Sequence, residues 1–455
     1  MSKRRKMLVV VVEYLIELIE SREYLLASRQ SEKDFTRRRK MSFTNYIWYL
    51  LTTAKRSLTS GLQSFVKELN VSWDSYSKQA FSQGRQRIKP EAIKALMTAT
   101  QERFYQEANY ATWKRMRVLA IDGSRYNLPT SEELREHYGI QKSSGEQVQA
   151  LGSSLYDVLN GLVLDAQLTR VDGNERELAK QHFDVLQANP ARRGEKELLL
   201  MDRGYPSYEL IREMNRRGFL YAMRCCREFC KSMRLDGRND CVIEHRFARA
   251  KENIRLRVIR FTLDNGDEEI IVTNLFDTSL SVQDFKALYH LRWSIETSYS
   301  NLKNKLEIEN FSGRSVLAVE QDFYATVTVA NLVSILMFDN REEIDAYNSS
   351  ADRKFEYKQN VNTTVGLLKD ELLFLLMDDS LRRRKHRMLR LMAHALRSLV
   401  PVRPHRSFPR KRLHPSHSFP QNARRPRSFL KLMTLPLKGK VLLGLSPSAR
   451  QIRIY

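Results

Sequence analysis

Four side chains in one stretch could do phosphate chemistry together: Tyr289, Arg292, Glu296 and Lys303, at offsets of 3, 7 and 14 from the first. On an α-helix, with about 100° between residues, all four fall within an arc of about 60°. The stretch from Ser281 to Gly313 is expected to be one helix. Phe285, Leu288, Leu291 and Ile295 recur at the helical period, and no Gly or Pro intervenes before Gly313. Glu296 could hold a divalent metal, Arg292 and Lys303 could clamp phosphates on either side, and Tyr289 could bond one. An ordinary solvated ion pair would show the same spacing. Two more acids in matching places favour the chemical reading.

Those acids are Asp122 and Asp202. Each closes a short apolar run, RVLAID and KELLLMD, with a glycine close behind. Such runs read as buried strands with an acid at the C-terminal end, where open α/β sheets build their sites. A lone Asp after a strand is usually a turn former; two are harder to dismiss. Between them, LYDVL and LVLDAQLTR flank Asn160–Gly161, a strong hairpin signal. NERELAKQHFDVLQ follows as a helix. After Asp202, PSYELIREMNRRG reads as a helix opened by Pro206 and stopped by Gly218, and FLYAMRCC as a strand.

Brought together, Asp122, Asp202 and Glu296 could hold two Mg²⁺ ions roughly 3.5–4 Å apart for an in-line displacement at phosphorus. Mg²⁺ prefers hard oxygen donors, which carboxylates supply. The chain has no GxxxxGK[ST] loop, so no nucleotide cofactor is expected. Cys225, Cys226, Cys230 and Cys241 cluster without a CxxC pair and read as thiols in a reducing cytoplasm rather than a zinc site.

The elements that must position these residues divide the 455-residue chain into six segments. Residues 1–112 carry helical periodicity with interleaved basic runs and suit a DNA-binding domain. The amphipathic start, MSKRRKMLVVVVEYLIELIE, is broken by Glu13 and Glu17 and is not read as a secretory signal. Residues 113–225 and 281–345 are the two parts of a catalytic core. Residues 226–280 form a β-rich insertion whose hairpin closes at Asp264–Asn265–Gly266–Asp267, and residues 346–400 are helices. Residues 401–455 form a basic tail rich in Pro and Arg, expected to be extended along DNA. No stretch reads as long enough to span a membrane.

Charge points the same way. The net charge is +24, yet residues 381–455 contain 20 Lys or Arg and no Asp or Glu. The first 380 residues balance 57 basic against 53 acidic. A basic block this polarised suits a polyanion, most often nucleic acid, bound by counterion release.

The spacing Y-x2-R-x3-E-x6-K at Tyr289, Arg292, Glu296 and Lys303 resembles the signature of DDE transposases of bacterial insertion sequences, in the group named after insertion sequence four. AIDGSRYNLP around Asp122, LYDVLNGLVLDAQL in the hairpin, MDRGYPSYELI around Asp202 and RSVLAVEQDFYA after Glu296 also look like that family. The resemblance covers at least residues 115–340. It implies an α/β fold of RNase H-like type, a mixed-sheet core with the β-rich insertion between Asp202 and Glu296. It implies a cytoplasmic, nucleoid-associated DNA transposase that works by cut-and-paste in a dimeric complex with paired transposon ends. Its partners would be the terminal inverted repeats of its own element and target DNA. Asp122, Asp202 and Glu296 become the metal-binding triad for Mg²⁺, with Mn²⁺ substituting. Tyr289, Arg292 and Lys303 become backbone-phosphate contacts near the transposon end. Relatives excise through a DNA hairpin with an extruded base, on which Trp293 is a candidate to stack; a core tryptophan is the other reading. Two alternatives share the sequence: an RNase H-like nuclease without strand transfer, and a non-catalytic DNA-binding relic.

Overall fold

The structure, a computed structural model, describes residues 6–37, 39–52, 57–69, 77–141, 146–188, 194–247, 252–263, 266–350 and 352–403. The basic tail beyond residue 403 and Asp264–Asn265 of the expected turn lie outside them.

Six helices open the chain: α1 (Met7–Glu20), α2 (Arg22–Ser28), α3 (Phe43–Thr52), α4 (Leu58–Glu68), α5 (Lys78–Arg85) and α6 (Pro90–Glu107). Their starts are written locally. The Ser21 hydroxyl accepts from Tyr24 N at α2, and Pro90 takes the first position of α6, where no N–H is needed. The sheet region follows as β1 (Met116–Asn127), α7 (Glu132–Tyr138), β2 (Gln149–Asp157), β3 (Leu162–Arg170), α8 (Glu175–Ala188), β4 (Lys196–Met201), α9 (Tyr208–Arg217) and β5 (Leu220–Cys225). Then come α10 (Lys231–Leu235), β6 (Asp240–His245), β7 (Ile254–Thr262) and β8 (Glu268–Thr273). The chain continues as α11 (Val282–His290), α12 (Trp293–Asn304), α13 (Val316–Asp339), α14 (Arg341–Ser349), β9 (Tyr357–Gln359), α15 (Val361–Met377), α16 (Leu381–Leu396) and β10 (Leu399–Pro401).

Among the described residues eight strands form one sheet in the order β3-β2-β1-β4-β5-β8-β7-β6. β1 pairs β4 and β4 pairs β5 in parallel, while β2 runs antiparallel between β1 and β3. These five strands have the RNase H-like arrangement. The hairpin at Asn160–Gly161 is present, with Gly161 at φ +77°, a conformation glycine adopts without penalty. Gly218 ends α9 in the left-handed region as a helix-stopping residue. The β-rich stretch after β5 does not form a layer of its own: β8, β7 and β6 extend the same sheet by antiparallel pairing. Cys225, Cys230 and Cys241 are buried free thiols there.

Three expectations need correction. Asp122 does not end its strand. The parallel ladder with β4 stops at Ile121↔Met201, but the antiparallel ladder with β2 carries β1 on to Asn127↔Gln149. The polar half of β1 is therefore held by β2 rather than by burial. Second, the stretch from Ser281 to Gly313 is not one helix. The chain tightens at Leu291 and Arg292, where Leu291 N bonds Leu288 O and Arg292 N bonds Tyr289 O, and α12 ends at Asn304. Those three-residue bonds are 3₁₀ geometry, which rotates α12 relative to a continuous helix. Third, α13 is long and apolar enough to cross a membrane by length and composition. Of its most apolar 18-residue window, 72% is buried, where α13 packs along α6 and over β3. This is the profile of a central core helix.

Candidate active site

The β1–β4 register decides where the first two acids stand. Ile121 pairs with Met201, so Asp122 and Asp202 are the next residues on neighbouring parallel strands. Both occupy the carboxyl edge of that ladder, where the two chains diverge. Asp122 accepts a 2.9 Å hydrogen bond from Gly123 N. Burial pushes its carboxyl up to about 6. The Gly123 N–H and the Arg292 guanidinium oppose the rise, and the charges of Glu175 and Asp202 add to it.

Glu296 reaches the same place from the first turn of α12. It is linked to Asp122 by Arg292, whose side chain is buried at the tightened turn. Arg292 Nη2 donates to Glu296 Oε1 at 3.0 Å, and Nη1 lies 4.0 Å from Asp122 Oδ2. Burial disfavours that guanidinium charge, but Tyr289, Asp202, Glu296 and Asp122 outweigh it, so its pKa is raised. The Arg292 Nε is buried without a hydrogen-bond partner. One cation thus sits among three acids. The donor set, carboxylates with no His or Cys beside them, suits a hard divalent cation. As the side chains stand, no group of three or more acids, His or Cys among the described residues closes on one metal position. Arg292 supplies part of the positive charge that the acids require.

Residues 113–332 match the family of the transposase DDE domain. Over 333 residues, 68% of this chain and 73% of the relative, the sequence is 22% identical to the transposase InsG for insertion sequence element IS4 of Escherichia coli K12. These matches support a DDE transposase of the IS4 type. A putative transposase InsZ of Escherichia coli K12 is 24% identical over 193 residues, covering 40% of this chain and 60% of InsZ. A piggyBac transposase, seen by cryo-EM in a synaptic complex with hairpin DNA, is 12% identical over 87% of each chain, with a TM-score of 0.47.

The other candidate side chains take different positions. Tyr289, on α11, is buried, and its hydroxyl donates to the Met201 carbonyl at 3.2 Å, next to Asp202. It braces the end of β4, with the Arg292 guanidinium 5.7 Å from its ring centre. Lys303, near the end of α12, donates to Ser124 Oγ at 2.7 Å and to the Arg125 carbonyl at 2.6 Å. Trp293 is 50% exposed, which sets aside the core reading of that side chain. Its ring centre lies 5.8 Å from the Arg292 guanidinium, so an accessible aromatic surface adjoins the acids.

Several supporting residues were not among the sequence candidates. The Tyr299 hydroxyl, one turn beyond Glu296, donates to the Asp122 carbonyl at 2.5 Å and ties α12 to β1. Behind β1, Ser153 Oγ lies 3.4 Å from the same carbonyl and 2.9 Å from His182 Nε2, and His182 Nδ1 lies 2.8 Å from Asp165 Oδ2. This Ser–His–Asp line is buried throughout, with no face open to substrate. It supports the sheet beneath Asp122 and is not a nucleophile. The i, i+3 interval from Glu296 to Tyr299 could have flagged the tyrosine; nothing local flags Ser153.

Proposed function

We propose that this transposase catalyses cut-and-paste transposition of an insertion sequence, with Asp122, Asp202 and Glu296 as its catalytic triad. The observation that carries the reading is that Asp122 and Asp202 directly follow paired residues of two parallel strands, while the Arg292 guanidinium bonds Glu296 and lies 4.0 Å from Asp122. That arrangement leaves a net negative cluster at an open edge, where a phosphodiester and its cations can enter together.

Asp122, Asp202 and Glu296 would hold divalent metal, Mg²⁺ or Mn²⁺ in its place, which supplies Lewis-acid charge at the reacting phosphate and favours the ionised form of the attacking oxygen. The chain's own residues do the rest. Arg292 keeps Glu296 and Asp122 turned toward one another. Tyr289 fixes the β4 edge that carries Asp202. Lys303 has used two of its three N–H bonds on β1, and the third can take a backbone phosphate. Trp293 offers a flat face for a base extruded in a hairpin intermediate. Burial in this arrangement makes Tyr289 a positioning residue for the phosphate-binding edge rather than a direct ligand.

The helices of residues 7–107 and the basic C-terminal segment would bind the terminal inverted repeats and target DNA in a homodimeric synaptic complex. The α16 helix carries Arg382, Lys385 and Arg390 on its exposed side, and that surface suits DNA. Two readings with the same acids compete: a nuclease that cleaves without joining, and a relic that only binds. Incubating the protein with intact and with pre-cleaved element ends and a target plasmid separates them. Joined products are expected; cleavage of intact ends without any joining would favour the nuclease.

A further inference from the structure

Resting on the three-acid reading above, we propose that the Tyr299 hydroxyl is a positioning group for the metal-binding acids: it sets the helix that carries Glu296 against the strand that carries Asp122. Tyr299 stands one turn after Glu296 on α12, and its side chain is buried. Its hydroxyl donates to the Asp122 carbonyl at 2.5 Å and shares a hydrogen bond with the side chain of Ser154, a buried residue of β2. One turn further on, Lys303 donates to Ser124 Oγ and to the Arg125 carbonyl. Residues 296, 299 and 303 share one helix face. The helix is therefore pinned along β1 at Asp122 and again at Ser124–Arg125.

The pins matter because the opposite face of α12 is loosely backed. Ser298, Asn301 and Leu302 line a cavity of about 460 Å³, bounded across from them by Ser334 and Met337 of α13 and Val361 of α15. A helix face beside open space lacks the close contacts that fix a packed helix in place. Of the bonds named on the front face, two involve groups given to the reaction. Metal held by Glu296 draws that carboxylate away from Arg292, and a phosphate on Lys303 competes with its bonds to β1. The Tyr299 bond uses a main-chain carbonyl and no acid, so it persists while metal and DNA bind. Metal ligands need supporting groups that hold them to within about 0.5 Å, and Tyr299 is placed to do this for Glu296 and Asp122.

The test uses the purified full chain, first with Mn²⁺ alone, binding read by electron paramagnetic resonance, then with end DNA, cleavage read across a Mn²⁺ series. Tyr299→Phe keeps the ring and removes only the hydroxyl. It should weaken Mn²⁺ binding roughly tenfold or more and raise by the same factor the Mn²⁺ needed for half-maximal cleavage. Cleavage at saturating Mn²⁺ and metal-free end binding should stay within about threefold of the wild type. A residue that only held the fold together would lower cleavage at every Mn²⁺ concentration and leave the midpoint in place; that result would overturn the proposal. Glu296→Gln is the control. Wild-type Mn²⁺ affinity in Tyr299→Phe, beside a loss in Glu296→Gln, would overturn the role of Tyr299 and leave the triad standing. No Mn²⁺ binding by the wild type, or none lost in Glu296→Gln, would overturn both. Should Tyr299→Phe fold poorly, Ser154→Ala leaves the tyrosine and removes its partner on β2; it is read against the same outcomes, with a smaller shift of about threefold.

Discussion

Arg292 and Glu296 are bonded at 3.0 Å across one turn, and the same guanidinium lies 4.0 Å from Asp122. The pair is asymmetric: Arg292 is 4% exposed at its side chain and Glu296 31%. The guanidinium is a buried charge, and the carboxylate is the partner more open to solvent.

Arg292→Gln should therefore destabilise the metal-free protein. Breaking a buried ion pair costs about 3–5 kcal/mol, and the partial exposure of Glu296 lowers that to about 2 kcal/mol. Thermal unfolding with and without Mg²⁺ checks this. The variant's Tm should fall in chelator and recover in part with Mg²⁺, because the cation replaces the missing charge. An unchanged Tm in chelator would show that Arg292 does not balance the acids.

Binding of end DNA should lose salt dependence in steps. Lys303→Met removes one proposed phosphate contact and should lower the slope of log K against log salt by about 1. Removal of residues 404–455, with their cluster of Arg and Lys, should lower it by several. Fluorescence anisotropy across a salt series measures both. A slope unchanged by the truncation would mean the tail is idle in end binding.

Asp165, at the buried end of the line behind β1, gives a pH-dependent stability. Burial pushes its carboxyl up. The hydrogen bond and charge of His182, with Lys94 and Gln167, outweigh that and hold it at about 2. A folded value below the unfolded one means stability present above pH about 4 and lost as pH falls through about 2. The size is roughly 2–3 kcal/mol. Asp165→Asn should be less stable than the wild type at pH 7, and the gap should close as pH falls below 4. Chemical denaturation at pH 7, 4 and 2.5 reads this; a constant gap would contradict it.

Much of the frame was legible. The apolar runs before Asp122 and Asp202, the Asn160–Gly161 turn and the Pro206 and Gly218 boundaries are local signals, and the strands and helices fall where they point. The misses are tertiary. β1 outlasts its apolar run because β2 pairs with GSRYN, and a strand partner cannot be read from the strand itself. The tightening at Leu291 and Arg292 has no Gly or Pro to announce it; both residues keep helical backbone angles while their bonds shorten to the 3₁₀ pattern. The exposure of Trp293 likewise has no local signal in the sequence.

On the proposed function, Asp122, Asp202 and Glu296 act as one metal-dependent centre. The direct measurement is cleavage of DNA carrying the element's own ends by wild type and Glu296→Gln, in Mg²⁺ and in EDTA, on a denaturing gel beside a gel shift of the same DNA. Cleavage is expected only from the wild type and only with metal, with a loss of at least about 10³-fold in the variant and end binding by the variant within about threefold of normal. Cleavage by Glu296→Gln at the wild-type rate, or end binding lost in step with cleavage, would contradict it.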